Sequence, residues 1–204
     1  MPAVYTIGHS SHTVAEFVDL LRRHAITAVG DVRSQPYSRI NPHFNREEIE
    51  RSLGARGIAY VYLGRELGAR SEDAACYREG RVRYDLLAKT EIFQRGLGRV
   101  REGMERYRLA LMCAEKEPLE CHRTILVSRH LAAQGLEVRH ILADGAVESN
   151  DETLQRLRQL LNMAETHLFL SPEELIEEAY TRQEARIAYV PEQDDSSAMR
   201  SVAG

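Results

Sequence analysis

Five side chains with reactive or ligating chemistry crowd one short stretch: Cys113, Glu115, Cys121, His122 and Arg123. A thiol beside an imidazole and a guanidinium is drawn toward its thiolate, the nucleophilic form. Cys121 opens an amphipathic run, so the partial positive charge of a helix N-terminus adds to that effect. A reactive Cys121 is one reading. The other is a small buried residue, with Arg123 paired to a loop carboxylate. Cys113 ends an apolar run and reads as a buried, structural sulfur.

The same residues, joined by His9, are also metal-ligand types. Zinc sites favour cysteines separated by roughly two to four residues. Here seven residues separate Cys113 from Cys121, and no second pair exists. No metal ligand is assigned on this pattern and no cofactor is predicted, while a catalytic metal stays open. A nucleobase-deaminase motif is rejected because its closing cysteine is missing.

Two further polar groups follow apolar runs. His9 and Ser10 come after the first, Asp31 and Arg33 after the second. Glu115 and Asp31 suit general acid–base work if partly buried, with His9 and His122 assisting proton transfer. Arg33, Arg39 and Arg123, with Ser10, Cys113 and helix-start amides, suit the grip on a phosphate or carboxylate. The plainer alternative is an ion-pair network that stitches strand ends together. Tyr60 and Tyr62 report strand alternation rather than base stacking.

For these groups to meet, their strands must run parallel and end on one rim. The pattern supports this. Apolar runs near residues 4–8, 26–32, 58–63, 109–112 and 137–142 alternate with helical periodicity. Thr13 with Glu16 reads as a capping box ahead of Val14, Phe17, Val18 and Leu21. Residues 35–45 read as an irregular loop and 46–53 as a short helix. Residues 64–90 lack a sustained period and read as a long surface excursion. Phe93, Leu97, Val100, Met104 and Tyr107 mark a helix, and a further one runs from Cys121 to Gln134, with Gly135 as its stop. Leu154, Leu157, Leu160 and Leu161 give another, and Ser171-Pro172-Glu173-Glu174 starts the last. The fold class that follows is α/β: a single domain with a mostly parallel sheet covered by helices, plus a C-terminal helical extension. The expected division is a core over 1–150, the extension over 151–190, packed on the core, and a disordered tail over 191–204.

With 204 residues, a net charge of -4 and a pI near 6.1, the chain lacks the basic face that non-specific nucleic-acid binding needs. Nucleic acid remains a partner only at a local site. Three cysteines are too few for a disulfide scaffold. The absence of a leader pattern and of any long apolar run points to a cytoplasmic protein with no membrane partner. Neither a GxGxxG fingerprint nor a Walker A loop occurs, which disfavours NAD and P-loop nucleotide chemistry. The oligomeric state is not readable.

Several motifs together resemble the family known as domain of unknown function 488. They are Thr6-Ile7-Gly8-His9-Ser10, Asp31-Val32-Arg33-Ser34, Pro36 with Ser38-Arg39 and Phe44, Tyr62 with Leu67-Gly68, Cys113-Ala114-Glu115, and Cys121-His122-Arg123. His140-Ile141, Ala179-Tyr180, Arg182-Gln183 and Arg186-Ile187-Ala188-Tyr189 fit as well. A weaker likeness, through Asp31-Val32-Arg33 and the Cys113-to-Arg123 segment, links the chain to rhodanese sulfurtransferases and cysteine-dependent phosphatases. In those enzymes a tight loop of amides surrounds the cysteine; here the loop is longer and carries Glu115, Glu117 and Glu120. The likeness therefore implies a fold more than an activity.

The expected function is a hydrolytic or group-transfer enzyme acting on a small polar or anionic ligand, such as a nucleotide, nucleobase or nucleic-acid base, in a strand-end pocket. The alternatives are a cysteine-dependent sulfurtransferase or phosphatase and a non-catalytic nucleotide or nucleic-acid binding module.

Overall fold

Short, mostly apolar runs build the sheet, three of them closed by Gly8, Asp31 and Cys113. The computed structural model describes residues 3–164, 166 and 168–191. Its strands are β1 (Val4–Gly8), β2 (Ala28–Asp31), β3 (Ala59–Tyr62), β4 (Tyr77–Arg78), β5 (Arg81–Val82), β6 (Leu109–Cys113), β7 (Val138–Ile141) and β8 (Val147–Ser149). Six of them form one sheet in the order β3-β2-β6-β1-β7-β8, and β4 and β5 make a separate hairpin. The first five strands of that order are parallel; β8 closes the edge antiparallel to β7.

The helices are α1 (Val14–Arg23), α2 (Arg46–Gly54), α3 (Gly64–Leu67), α4 (Tyr84–Leu87), α5 (Glu91–Met104), α6 (Arg129–Ala133), α7 (Asn150–Leu160) and α8 (Pro172–Ile187). Three of them, α1, α7 and α8, start on reciprocal capping boxes, Thr13/Glu16, Ser149/Glu152 and Ser171/Glu174. Each box satisfies two backbone donors that the helix itself leaves unpaired.

Alternation along the strands sends side chains to two cores. Tyr5, Ile7, Val29, Ala110 and Met112 pack with Phe17, Val18 and Leu21 of α1 and Ile49 and Leu53 of α2. Val4, Leu109, Leu111 and Cys113 face the opposite way, toward Leu97 and Val100 of α5, Leu131 of α6, Leu157 of α7 and Tyr180 of α8. Neighbouring strands β1 and β6 thus send their outgoing connections to opposite faces. In parallel sheets that arrangement opens a crevice at the strand ends, where ligands bind.

Several expectations need amendment. Residues 64–90 are only in part a surface excursion: they hold α3, the hairpin and α4, and bury Leu67, Cys76, Val82, Tyr84 and Leu87. Elements of two to four residues have no room for a period, so sequence patterning cannot show them. The helix expected from Cys121 begins at Arg123 instead, and its first six residues, Arg123–Ser128, are π-wound. There the Ser128 hydroxyl donates to the Arg123 carbonyl at 2.7 Å, which holds the widened turn. Gly135 does stop α6, at φ +81. Tyr107 falls beyond the end of α5, and β8 has no counterpart in the reading above. The expected tail lies outside the described residues from 192 onward. Helix α8 ties to the body of the fold through Gln183, whose amide donates to the Leu119 carbonyl at 2.7 Å, and Glu184, which accepts from the Tyr84 amide at 3.0 Å. No helix among the described residues is long and apolar enough to cross a membrane.

Candidate functional site

Register decides which side chains meet. Gly8 lies opposite Cys113 and Asp31 opposite Met112. Past the paired residues the contact continues, with the His9 amide donating to the Cys113 carbonyl and the Val32 amide to the Met112 carbonyl, at 2.9 and 3.0 Å. The ends of β1, β2 and β6 therefore share one rim, as their polar endings imply.

On that rim the expected residues sort into two groups. The first centres on Arg33. Its Nε and Nη2 donate to the two oxygens of Asp31 at 2.9 and 2.6 Å, and Nη2 also donates to the Phe44 carbonyl at 2.9 Å. Nη1 approaches His9 Nε2 at 3.1 Å, while His9 Nδ1 lies 3.0 Å from the Ser10 carbonyl. A guanidinium only donates and a carbonyl only accepts, so His9 carries its proton on Nδ1 and offers the Nε2 lone pair to Arg33. Its ring stacks on Phe44 at 4.2 Å. Burial first, then the Arg33 charge, hold its pKa down to about 4. Asp31 is fully buried and accepts twice more, from the Arg33 amide at 3.1 Å and the Tyr60 hydroxyl at 2.8 Å. Asp31 and His9 are thereby committed to holding Arg33, whose second Nη1 proton has no partner among the described residues.

The second group sits at the end of β6. Donor atoms of Cys113, Glu115, Cys121 and His122 all lie within 4.8 Å of one another. Cys121 donates its thiol proton to Glu115 Oε2 at 2.9 Å, and Cys113 Sγ lies 3.6 Å from His122 Nδ1. The other ring nitrogen of His122, Nε2, donates to the Val32 carbonyl at 3.0 Å, which turns Nδ1 toward the sulfurs. Burial, then the Cys121 contact, push the Cys113 thiol well above the usual range. Burial also raises Cys121, but its contact with Cys113, the Arg123 guanidinium and His122 outweigh that and draw it well below. Glu115 is raised, by burial and by facing Cys121. Burial lowers His122, yet Cys121 and Glu115 raise it by more.

Arg123 fastens this group. It is fully buried and donates from Nη1 to the Glu115 carbonyl at 2.6 Å and from Nη2 to the Lys116 carbonyl at 3.2 Å. The turn it grips presses on Gly8, where an added Cβ would lie 1.9 Å from the Glu115 oxygen. Only glycine fits there.

An open cavity of about 260 Å³ connects the two groups. Arg33, Cys113, Glu115, Glu120 and His122 line it, with Arg70, Tyr84, Ile187 and Tyr189 arriving from distant segments. Cys121 stays behind Glu115, outside the lining. Ser10 contributes its carbonyl to His9, with its backbone at φ 48. Arg39 is exposed on the 35–45 loop and lines none of the neighbouring cavities. Arg123 braces the turn instead of facing the cavity. Sequence reasoning missed Arg70, Tyr84 and Tyr189 as lining residues. Tyr189 does stand in a motif noted above, two residues past the end of α8; Arg70, two residues after Gly68, and Tyr84 carry no such signal. Tyr60 and Tyr62 are half-buried and bonded through their hydroxyls, to Asp31 and to the Ser34 carbonyl.

No curated protein and no solved structure matches the chain, so the rhodanese likeness gains no relative. The matched segment of the family model holds Asp31, Arg33, Cys113, Glu115, Cys121, His122 and Arg123, while Thr6–Ser10 and Ala179–Tyr189 lie outside it. That model, described as Domain of unknown function DUF488, matches residues 13–130, more than half of the chain, and the chain belongs to this family.

Proposed function

We propose that this protein is an enzyme of hydrolytic or group-transfer type that acts on a small anionic ligand, of nucleoside monophosphate class, in the strand-end cavity. The observation that carries this reading is the mixed lining of the cavity. Cys113, Glu115 and His122 line it together with Arg33 and Arg70. Ser34 is common to this cavity and to two adjoining depressions, which add Arg46 and Arg65. Arg46, Arg65 and Arg70 have no carboxylate partner among the described ion pairs. Arg46 and Arg70 lie instead over the rings of Tyr62 and Tyr189, at 4.7 and 4.3 Å. Cations left unpaired beside aromatic faces suit a ligand with a phosphate and a flat ring.

In this reading Arg70 and the spare Arg33 donor hold the phosphate. Glu115, exposed at the mouth with Oε2 turned inward, is the group placed to exchange a proton with the reacting atoms. A thiol nucleophile is less well served. Cys121 lies behind Glu115, and Cys113 is held in its protonated form.

Calorimetry with adenosine monophosphate tests the binding half. Arg70→Ala should weaken binding by about tenfold or more, the loss of one charge-assisted contact. Glu115→Gln should keep binding and lose turnover. Absence of binding of adenosine monophosphate and of inorganic phosphate at millimolar concentration, or binding indifferent to Arg70, overturns the reading.

A further inference from the structure

The four clustered side chains at the end of β6 have a property that an acid–base site does not need: a metal-ligating atom of each lies within 4.8 Å of those of the other three. We infer that Cys113, Glu115, Cys121 and His122 form a tetrahedral binding site for a divalent cation of the zinc class. The inference deepens the functional reading above, since it supplies that cavity with an electrophile, and it stands on geometry of its own.

The donor set is two sulfurs, one imidazole nitrogen and one carboxylate oxygen, which selects a borderline-soft cation over magnesium or calcium. Tetrahedral coordination at ordinary zinc bond lengths places ligand atoms about 3.3–3.8 Å apart. The Cys113 to His122 contact is 3.6 Å, and every pair in the cluster lies within 4.8 Å. The Cys121 to Glu115 contact, at 2.9 Å, has only to open as the cation replaces the proton between them.

The surroundings match those of a metal centre. His122 donates its far nitrogen to the Val32 carbonyl, the outer contact that orients a ligating imidazole. The Arg123 amide donates to Cys121 Sγ at 3.4 Å.

The four positions are not equivalent. Cys113, Cys121 and His122 are 2%, 1% and 8% exposed, whereas Glu115 is exposed at the cavity mouth. Two thiolates and an imidazole thus make a fixed tripod, and the carboxylate holds the one position that water or a ligand oxygen can take. Three protein ligands with an exchangeable fourth is the pattern of a catalytic zinc rather than a structural one.

The test is a Co²⁺ titration of the full chain after chelator treatment and reduction. One equivalent should bind with sulfur-to-cobalt charge transfer in the near ultraviolet and intense tetrahedral d–d bands in the visible, and Zn²⁺ should bleach both. Cys113→Ser and His122→Ala should each lower affinity by roughly a hundredfold. Glu115→Gln should retain charge transfer and shift the d–d bands. Cys76→Ser, whose sulfur is buried elsewhere, should change nothing. Absence of charge transfer in the wild-type protein overturns the inference, as does a Cys76→Ser effect equal to that of Cys113→Ser. The two readings fail separately. Cobalt signals without binding of adenosine monophosphate remove the substrate class and keep the metal; binding without cobalt signals does the reverse.

Discussion

The rim of the sheet carries two buried polar groups side by side, one at the end of β2 and one at the end of β6, and they differ in what is left over. Around Arg33 almost every donor meets an acceptor: Asp31 takes four hydrogen bonds, and His9 uses both ring nitrogens. Around Cys113 and Cys121 the ligating atoms lie within 4.8 Å of one another with only protons between them. A saturated group is a fixture; a group with unspent lone pairs is equipped for chemistry. Residue types alone do not separate the two, since both contain a carboxylate, a histidine and an arginine.

The sharpest way to break this contrast is to unpair Arg33. Asp31→Ala leaves a guanidinium 5% exposed without its counter-charge, which should cost about 3–5 kcal/mol in urea denaturation. Glu115→Gln, removing a charge of equal size from the other group, should cost less than about 1 kcal/mol, because its side chain reaches solvent. Equal losses in the two variants would abolish the distinction.

Next in size is the contact that seats the β6 group. Gly8→Ala puts a methyl 1.9 Å from the Glu115 carbonyl, a backbone atom gripped by Arg123, so that no flexible side chain can yield. The expected loss is about 3 kcal/mol, together with faster alkylation of Cys121 as the turn lifts away. A variant as stable as wild type, with unchanged alkylation, would show that the turn is not held where the structure places it.

The convergence of strand ends was legible in the sequence because β1, β2 and β6 each finish on polar residues that a buried strand has no other use for. The parallel sheet, the helix starts at Thr13/Glu16 and Ser171/Glu174 and the Gly135 stop followed from local rules of the same kind, whereas the Ser149/Glu152 box was not read from the sequence. What the sequence hid was valence. Nothing in the letters shows that Asp31 is used up by Arg33 and Tyr60, or that His122 is turned by a carbonyl of another strand. The ligand set was hidden too, because a seven-residue loop folds Cys121 back beside Cys113 and defeats any rule about spacing. Arg70, Tyr84 and Tyr189 reach the cavity from the short elements after β3 and from the end of α8, where placement depends on tertiary packing alone.

The pH dependence of stability sharpens the contrast from the saturated side. Burial holds His9 and His140 at about 4, against 6.5 when unfolded. Both bind a proton in the unfolded chain first, so folding stability is full above 6.5 and falls as pH drops toward 4. Each contributes on the order of 3 kcal/mol at most. His130 is lowered in the same direction, again by burial. His122 is raised and works against them, its contribution present below 6.5 and lost as pH rises past its folded value. Capped carboxylates such as Glu16 and Glu152 lose stability only below 4.5, while Glu115, raised by burial, opposes the lowered histidines, its contribution lost as pH rises above 4.5. Urea midpoints should therefore decline between pH 6.5 and 4.5, and His140→Asn should flatten the decline. A flat profile in the wild type would mean that these imidazoles are not buried neutral.

The smallest expected effect is the most discriminating. Tyr60→Phe removes one hydroxyl at 2.8 Å from Asp31 Oδ2 and leaves the three bonds from Arg33 in place. A saturated network that loses one neutral donor should weaken by about 1 kcal/mol. If the two groups are energetically separate, the alkylation rate of Cys121 and its metal response should not move, although Asp31 and the β6 cluster lie on adjacent strands. A changed rate would mean that Arg33 passes strain from Asp31 across the cavity, and the fixture would then be a positioning device for the chemistry beside it.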